Sequence, residues 1–252
     1  MSLSWLEDLT LFIHPAQVIL QRRGWRGASE RWSAEVLPAS SGEAAWQPSL
    51  SAGQSLLAAH ARPGNRLHVV VADPFVRYVV LPWSETVVGS KARLAMARAL
   101  FRHSLGDTAD QLAIALDRPV FGGNGLAAGL PQDLLLALRQ AAQAGKLRLH
   151  GTQPRLQAEL KAARKTLDDG YVVLPDSGWL TLLGISRGNP CLVRNHRAGG
   201  QVADELHGCL AAEPSAVAIR KLQVFTDQPW PATLADWQID IRQPLWGGGS
   251  HA

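Results

Sequence analysis

Residues 67–83 read LHVVVADPFVRYVVLPW, and this stretch decides the fold class. Two runs of β-branched and aromatic residues flank Asp73-Pro74, and Pro82-Trp83 closes the second run. Proline cannot donate to a strand ladder, so Pro74 belongs at a tight reversal or a strand start. Val69-Val70-Val71 is apolar without alternation, the pattern of a strand covered on both faces. From Phe75 to Val80 the side chains alternate, as in a strand with one wetter face. The stretch therefore reads as a β-hairpin. Ser90 to Leu105 follows as a helix, with Leu94, Arg98, Phe101 and Leu105 near helical spacing. A hairpin feeding a helix is a unit of α/β architecture on which a binding surface can be built.

Upstream, Leu9 to Arg23 splits at His14-Pro15-Ala16 into two short strands, and a third is expected over Glu30 to Leu37. A Ser/Gly/Pro-rich loop over 38–51 leads to a short helix near Gln54–Ala61. Downstream, Leu112, Ile114 and Leu116 alternate as a strand, and 122–129 reads as a loop with a short strand at 126–128. Pro131 and Asp133 open a helix through Ala144. Leu147 and Leu149 mark a strand, and Gln153 to Leu167 a long helix ended by Asp168-Asp169-Gly170. A similar order then returns: strands at 171–174, 179–186 and 191–196, a helix at 202–210, and strands at 216–225 and 238–241. The turn Arg187-Gly188-Asn189-Pro190 marks a hairpin. Strands, then helix, then strand thus occur twice, which implies a duplicated α/β fold.

The chain has 252 residues, 46% hydrophobic and 18% charged, a balance that supports a sizeable core. Net charge is +4 and no basic stripe interleaves with aromatics, which argues against nucleic acid. Arg22, Arg23, Arg26 and Arg31 form the densest basic group, readable as solvated charge or as an anion or partner patch. Cys191 and Cys209 have no CxxC or zinc-finger spacing and are expected as buried free thiols. The start, MSLSWLEDLTLF, lacks the pattern of a signal peptide, and no apolar stretch is long enough to span a bilayer. Residues 247–252 read as a flexible tail or cloning remnant.

Asp176-Ser177-Gly178 is the best candidate for chemistry. It offers a carboxylate, a hydroxyl and an unhindered N–H at a strand end, the groups that hold phosphate oxygens and Mg²⁺. The same residues also make an ordinary Pro-Asp-Ser-Gly turn. Phe121-Gly122-Gly123-Asn124-Gly125 lacks the Lys-Ser/Thr of a phosphate loop and reads as a flexible connector. Asp73 fits a turn role with Pro74. Arg77, Tyr78 and Trp83 are residue types enriched at binding hot spots, and are the candidate partner-binding residues. Their alternative is internal, with Arg77 paired to an acid and the two rings packed on the helix.

The string VVVADPFVRYVVLPWSE (69–85), the helix after it and the later strand–PDSG–strand–hairpin resemble a known group. These are the actin-like cytoplasmic components of bacterial fibre and secretion machines: pilus-assembly protein M and the cytoplasmic part of general secretion pathway protein L. The resemblance implies a duplicated ribonuclease-H-like, actin-like ATPase fold, with halves at 1–150 and 151–246 around a cleft. Active members carry an Asp-x-Gly phosphate loop in the first hairpin, where this chain has Ile13-His14-Pro15-Ala16. The second phosphate hairpin maps onto Asp176, Ser177 and Gly178. With one loop missing, the implied role is a non-catalytic cytoplasmic scaffold that needs no cofactor. It would sit at the inner membrane of a type IV pilus or type II secretion platform through a membrane assembly protein. An assembly ATPase and a second copy of the chain are further candidate partners. The alternative is an actin-like ATPase or small-molecule kinase that binds ATP and Mg²⁺ at Asp176, Ser177 and Gly178.

Overall fold

Alternating and continuous apolar runs build two five-stranded sheets of the same topology. The computed structural model describes residues 7–23, 29–87, 89–117, 121–176, 178–199, 202–212, 219–230, 234 and 236–246. Ser177 and the tail at 247–252 lie outside these residues, as does Arg26. By contacts the chain forms two compact units. One comprises Met1–Val76 and Leu130–Ala158, the other Arg77–Gly129 and Glu159–Ala252.

The first sheet uses β1 (Asp8–Ile13), β2 (Gln17–Arg23), β3 (Ser29–Glu35), β4 (Arg66–Val71) and, later in the chain, β8 (Arg148–Pro154). Its order is β3-β2-β1-β4-β8. β1 is antiparallel to β2 and parallel to β4, which is parallel to β8. Leu9, Leu11, Val69 and Val71 are fully buried at its centre, as the continuous apolar runs require. Helix α1 (Gln47–His60) begins earlier than the Ser/Gly/Pro composition suggested, because Pro48 suits a helix's first turn. It packs so closely that a Cβ on Gly53 would meet Leu11 at 3.3 Å. Arg22 of the basic group is committed internally, bridging Glu7 and Glu30 and lying 5.0 Å over the Trp32 ring.

The second sheet uses β9 (Gly170–Asp176), β10 (Trp179–Ser186), β11 (Asn189–Arg197), β12 (Lys221–Phe225) and β13 (Gln238–Arg242), with α5 (Val202–Ala212) before β12. Its order, β11-β10-β9-β12-β13, repeats the first sheet's with the same strand directions. Tyr171, Val173, Leu182, Leu206 and Val224 form its core, and the thiols of Cys191 and Cys209 are half-buried beside it. Burial pushes both thiols upward in pKa. The order 3-2-1-4-5 twice over is the duplicated ribonuclease-H-like fold.

The reading of 67–83 as a hairpin is corrected. β5 (Arg77–Leu81) does not pair with β4; it joins a separate three-stranded sheet of order β5-β7-β6, with β6 at Leu112–Leu116 and β7 at Gly125–Pro131. β4 already has β1 on one edge and β8 on the other, so neither edge is open to β5. Asp73-Pro74-Phe75 forms one 3₁₀ turn, closed by Val76 N–H on the Asp73 carbonyl at 2.9 Å. Such a turn redirects the chain without the positive φ values of a two-residue hairpin. Asp73 is 1% exposed, and its Oδ1 accepts the Leu156 N–H at 3.0 Å in the first turn of α4 (Arg155–Ala163). A carboxylate suits a helix N-terminus, so Asp73 serves the fold.

Two other expectations shift. Gln153 and Pro154 belong to β8, so α4 is shorter than the apolar spacing implied. Residues 125–131 form a full strand, longer than the short one expected at 126–128, and two of its glycines sit at close approaches. A Cβ on Gly129 would stand 2.9 Å from Leu112, and one on Gly125 2.7 Å from Arg93. Helix α3 (Gln132–Ala144) follows directly, burying Leu134 and Leu138.

Candidate functional site

The segment from β5 to β7 is a small module, three strands backed by α2 (Ser90–Leu105), inserted between β4 and β8. Leu81, Ala97, Phe101 and Ala127 form its core, with Val79 and Ile114 against them. Antiparallel pairing sets Tyr78 opposite Ala128 and Val80 opposite Leu126, so these point away from the α2 face. Arg77 alternates with Tyr78 and is exposed, on the same side of β5 as Val79 and Leu81. Arg77 and Tyr78 thus present to opposite faces. The three candidate partner residues are not one patch.

Trp83, just past the end of β5, has a partner that the sequence reading did not single out. Phe121 lies with its ring centroid 5.1 Å from that of Trp83, at 64°, an edge-to-face pair. Phe121 is 90% exposed and Trp83 38%, so this pair stands in solvent. A small groove beside it is lined by Pro82, Val87, Arg93, Met96, Gly123 and Gly125. The only cue in the sequence was an aromatic residue placed at the head of a glycine-rich loop.

That loop is not a free connector. Asn124 accepts the Trp83 N–H on Oδ1 at 3.1 Å and donates Nδ2 to the Pro190 carbonyl at 3.1 Å. Below it, Arg93 of α2 reaches the Asp117 carboxylate and carbonyl, each at 3.2 Å. Asp117 also accepts the Leu126 N–H at 3.0 Å. Burial raises the Asp117 pKa above the usual carboxylate value despite these donors. The pair fastens α2 to the sheet and is structural.

The two hairpin loops at the ends of β1 and β9 test the phosphate reading. In the first, Ala16 donates its N–H to His14 Nδ1 at 3.0 Å, and Ser49 Oγ donates to the His14 carbonyl at 3.0 Å. Pro15 has no N–H to give. The Ala16 N–H is thus taken up inside the loop, and no acid stands among residues 13–16. In the second, Asp176 pairs with Trp179 across the turn, and Gly178 takes φ +72° with space for a Cβ around it. Ala198 donates its N–H to the Gly178 carbonyl at 2.9 Å. Asp176 is half-buried at the strand end and Gly178 exposed. Both residues suit a tight hairpin turn. Among the described residues, no group of three or more His, Cys, Asp or Glu is placed to hold a metal ion. Among them too, no helix is long and apolar enough to cross a membrane.

No protein-family model and no curated protein sequence matches the chain. Solved structures do. The chain is similar to the cytoplasmic domain of EpsL, an inner-membrane component of the Vibrio cholerae type II secretion system, at TM-score 0.62 and 11% identity. That match covers 94% of this chain and 89% of the other. A Bacteroides thetaiotaomicron protein with an actin-like ATPase fold matches at TM-score 0.62 and 11% identity, over 95% and 91% of the two chains. The PilM–PilN type IV pilus biogenesis complex contributes a chain matched at TM-score 0.60 and 17% identity, over 87% and 81%. At these identities the likeness is one of fold: the chain has the actin-like architecture shared with components of pilus and secretion assemblies.

Proposed function

We propose that the chain is a non-catalytic scaffold at the cytoplasmic side of a bacterial type IV pilus or type II secretion platform. It would tie an inner-membrane assembly protein to the assembly motor, and so lie peripheral to the membrane through that partner. The observation that carries this reading is the exposed Trp83–Phe121 pair, held out on a module inserted into one half of the fold. Exposed aromatics on a fixed support are the features of a binding hot spot, since they give large contact area at low entropic cost. The self-satisfied His14 loop supports the absence of a nucleotide role. The fold shared with EpsL and with a chain of the PilM–PilN complex supports the choice of machinery. Crosslinking a tagged chain in its cells, then identifying the captured protein by mass spectrometry, tests the reading. An inner-membrane pilus or secretion assembly protein is expected with the native chain and lost with Trp83→Ala. Capture of metabolic enzymes alone, or undiminished capture by the variant, contradicts it.

The second reading is an actin-like ATPase or small-molecule kinase, favoured by Asp176 at the end of β9 beside a glycine of positive φ. Asp176 would hold the metal, with Ser177 and Gly178 on phosphate oxygens.

A further inference from the structure

Asn124 makes contacts that local turn chemistry does not account for. Asparagine in a loop ordinarily bonds to the backbone two or three residues away. Here its two side-chain ends reach Trp83 N–H, 41 residues back, and the Pro190 carbonyl, 66 residues ahead. Its neighbour Gly123 is equally committed. A Cβ there would stand 2.1 Å from Asn189 Oδ1, so any larger residue at 123 would push the Asn189 side chain aside. Asn189 is held in turn by its own Nδ2 on the Arg187 carbonyl at 2.8 Å. The turn that carries it, Arg187-Gly188, has φ of 52° and 71°, the paired positive values of a two-residue hairpin turn. Its N–H groups both donate to the Asp169 carboxylate, at 2.6 and 2.8 Å.

From this unbroken series we infer that Asn124 is a positioning residue coupling the Trp83–Phe121 pair to the β10–β11 turn. A force on Trp83 is transmitted through Asn124 to Pro190, and the turn is fixed at its far side by Asp169. Because both segments share one side chain's hydrogen bonds, loosening either loosens the other, and the coupling is reciprocal. A partner seated on the aromatic pair would thereby stiffen the edge hairpin of the second sheet. What the coupling serves rests on the proposed partner role of Trp83; the coupling itself does not.

Hydrogen exchange read by mass spectrometry on the full free chain tests it, with no partner needed. Asn124→Ala is expected to speed exchange about fivefold, the worth of roughly one hydrogen bond, both at the Trp83 amide and at the amides of 187–189. Asn124→Asp separates the two arms. It keeps an acceptor for Trp83 N–H but faces the Pro190 carbonyl with a carboxylate, so Trp83 should stay protected while the 187–189 turn exchanges faster. That split is not produced by general destabilisation, and it decides the matter if Asn124→Ala does not fold. Wild-type exchange at 187–189 in both variants overturns the coupling. A Trp83→Ala chain that still captures its partner would overturn the partner reading and leave the exchange result standing.

Discussion

The two sheets share strand order and directions, yet differ in what separates their fourth and fifth strands. In the first sheet residues 72–147 intervene, carrying β5, α2, β6, β7 and α3; in the second, only 226–237 do. The hairpin loops differ as well: the first is closed by its own His14, the second turns on Gly178. A core that must bury one sheet face after another constrains strand order, whereas a crossover between parallel strands tolerates insertion. On the proposed function, the duplicated sheets are the support, and residues 77–129, inserted in the chain between β4 and β8, carry the binding surface.

The largest effects should come from the shared core. Leu11→Ala in β1 and Leu182→Ala in β10 each remove a fully buried side chain and should each cost about 3 kcal/mol in urea unfolding. If one is nearly neutral, the two sheets are not equivalent supports. Next comes the module's own packing. Gly129→Val would drive methyl groups into Leu112 and Phe101 and should cost about 2–3 kcal/mol. Gly178→Ala meets only the Ala198 carbonyl, at an ordinary 3.8 Å, and should cost only about 1 kcal/mol, through its positive φ. Equal costs would mean that the glycines of the module are not there for close approach.

Those glycines show where the sequence stopped being legible. Val69-Val70-Val71 announced a doubly covered strand because burial on both faces leaves a local signature, and the Arg187-Gly188 turn did so through its residue types. The repeat of element order was visible for the same reason. Gly125 and Gly129 read as loop residues because their cause, contact with Arg93, Leu112 and Phe101, is tertiary. The supposed hairpin at 67–83 failed likewise: nothing in Asp73-Pro74 says that β8, some 80 residues on, occupies the edge of β4. At the candidate site, Trp83 was singled out by residue type, and the first hairpin loop was set apart by the acid it lacks. Phe121 and Asn124 went unseen because a five-residue glycine-rich loop carries no periodicity to reveal an anchored ring.

Smaller effects sharpen the contrast between surfaces. Trp83→Ala should weaken partner binding by about 2 kcal/mol or more while barely moving the melting temperature, since the ring is partly exposed. Arg77→Ala, exposed on β5, should lower binding at unchanged melting temperature if it is a contact. A loss of stability with intact binding would assign Arg77 to the fold. The smallest effect concerns pH. The Asp168 carboxyl is held below its ordinary value by its hydrogen bond with Lys221. A depressed folded-state value contributes stability present above the ordinary carboxylate pKa and lost as pH falls through the folded value. Asp168→Asn should therefore lower neutral stability slightly, leave acid stability near wild type and so flatten the acid limb of a stability–pH curve.

The central claim is that function resides in the inserted module and not in nucleotide chemistry at the hairpin loops. Isothermal titration calorimetry of the purified chain with ATP and Mg²⁺ addresses it most directly. The account predicts no binding heat at millimolar nucleotide. Saturable binding that disappears in Asp176→Ala would contradict it and establish the ATPase or kinase reading in its place.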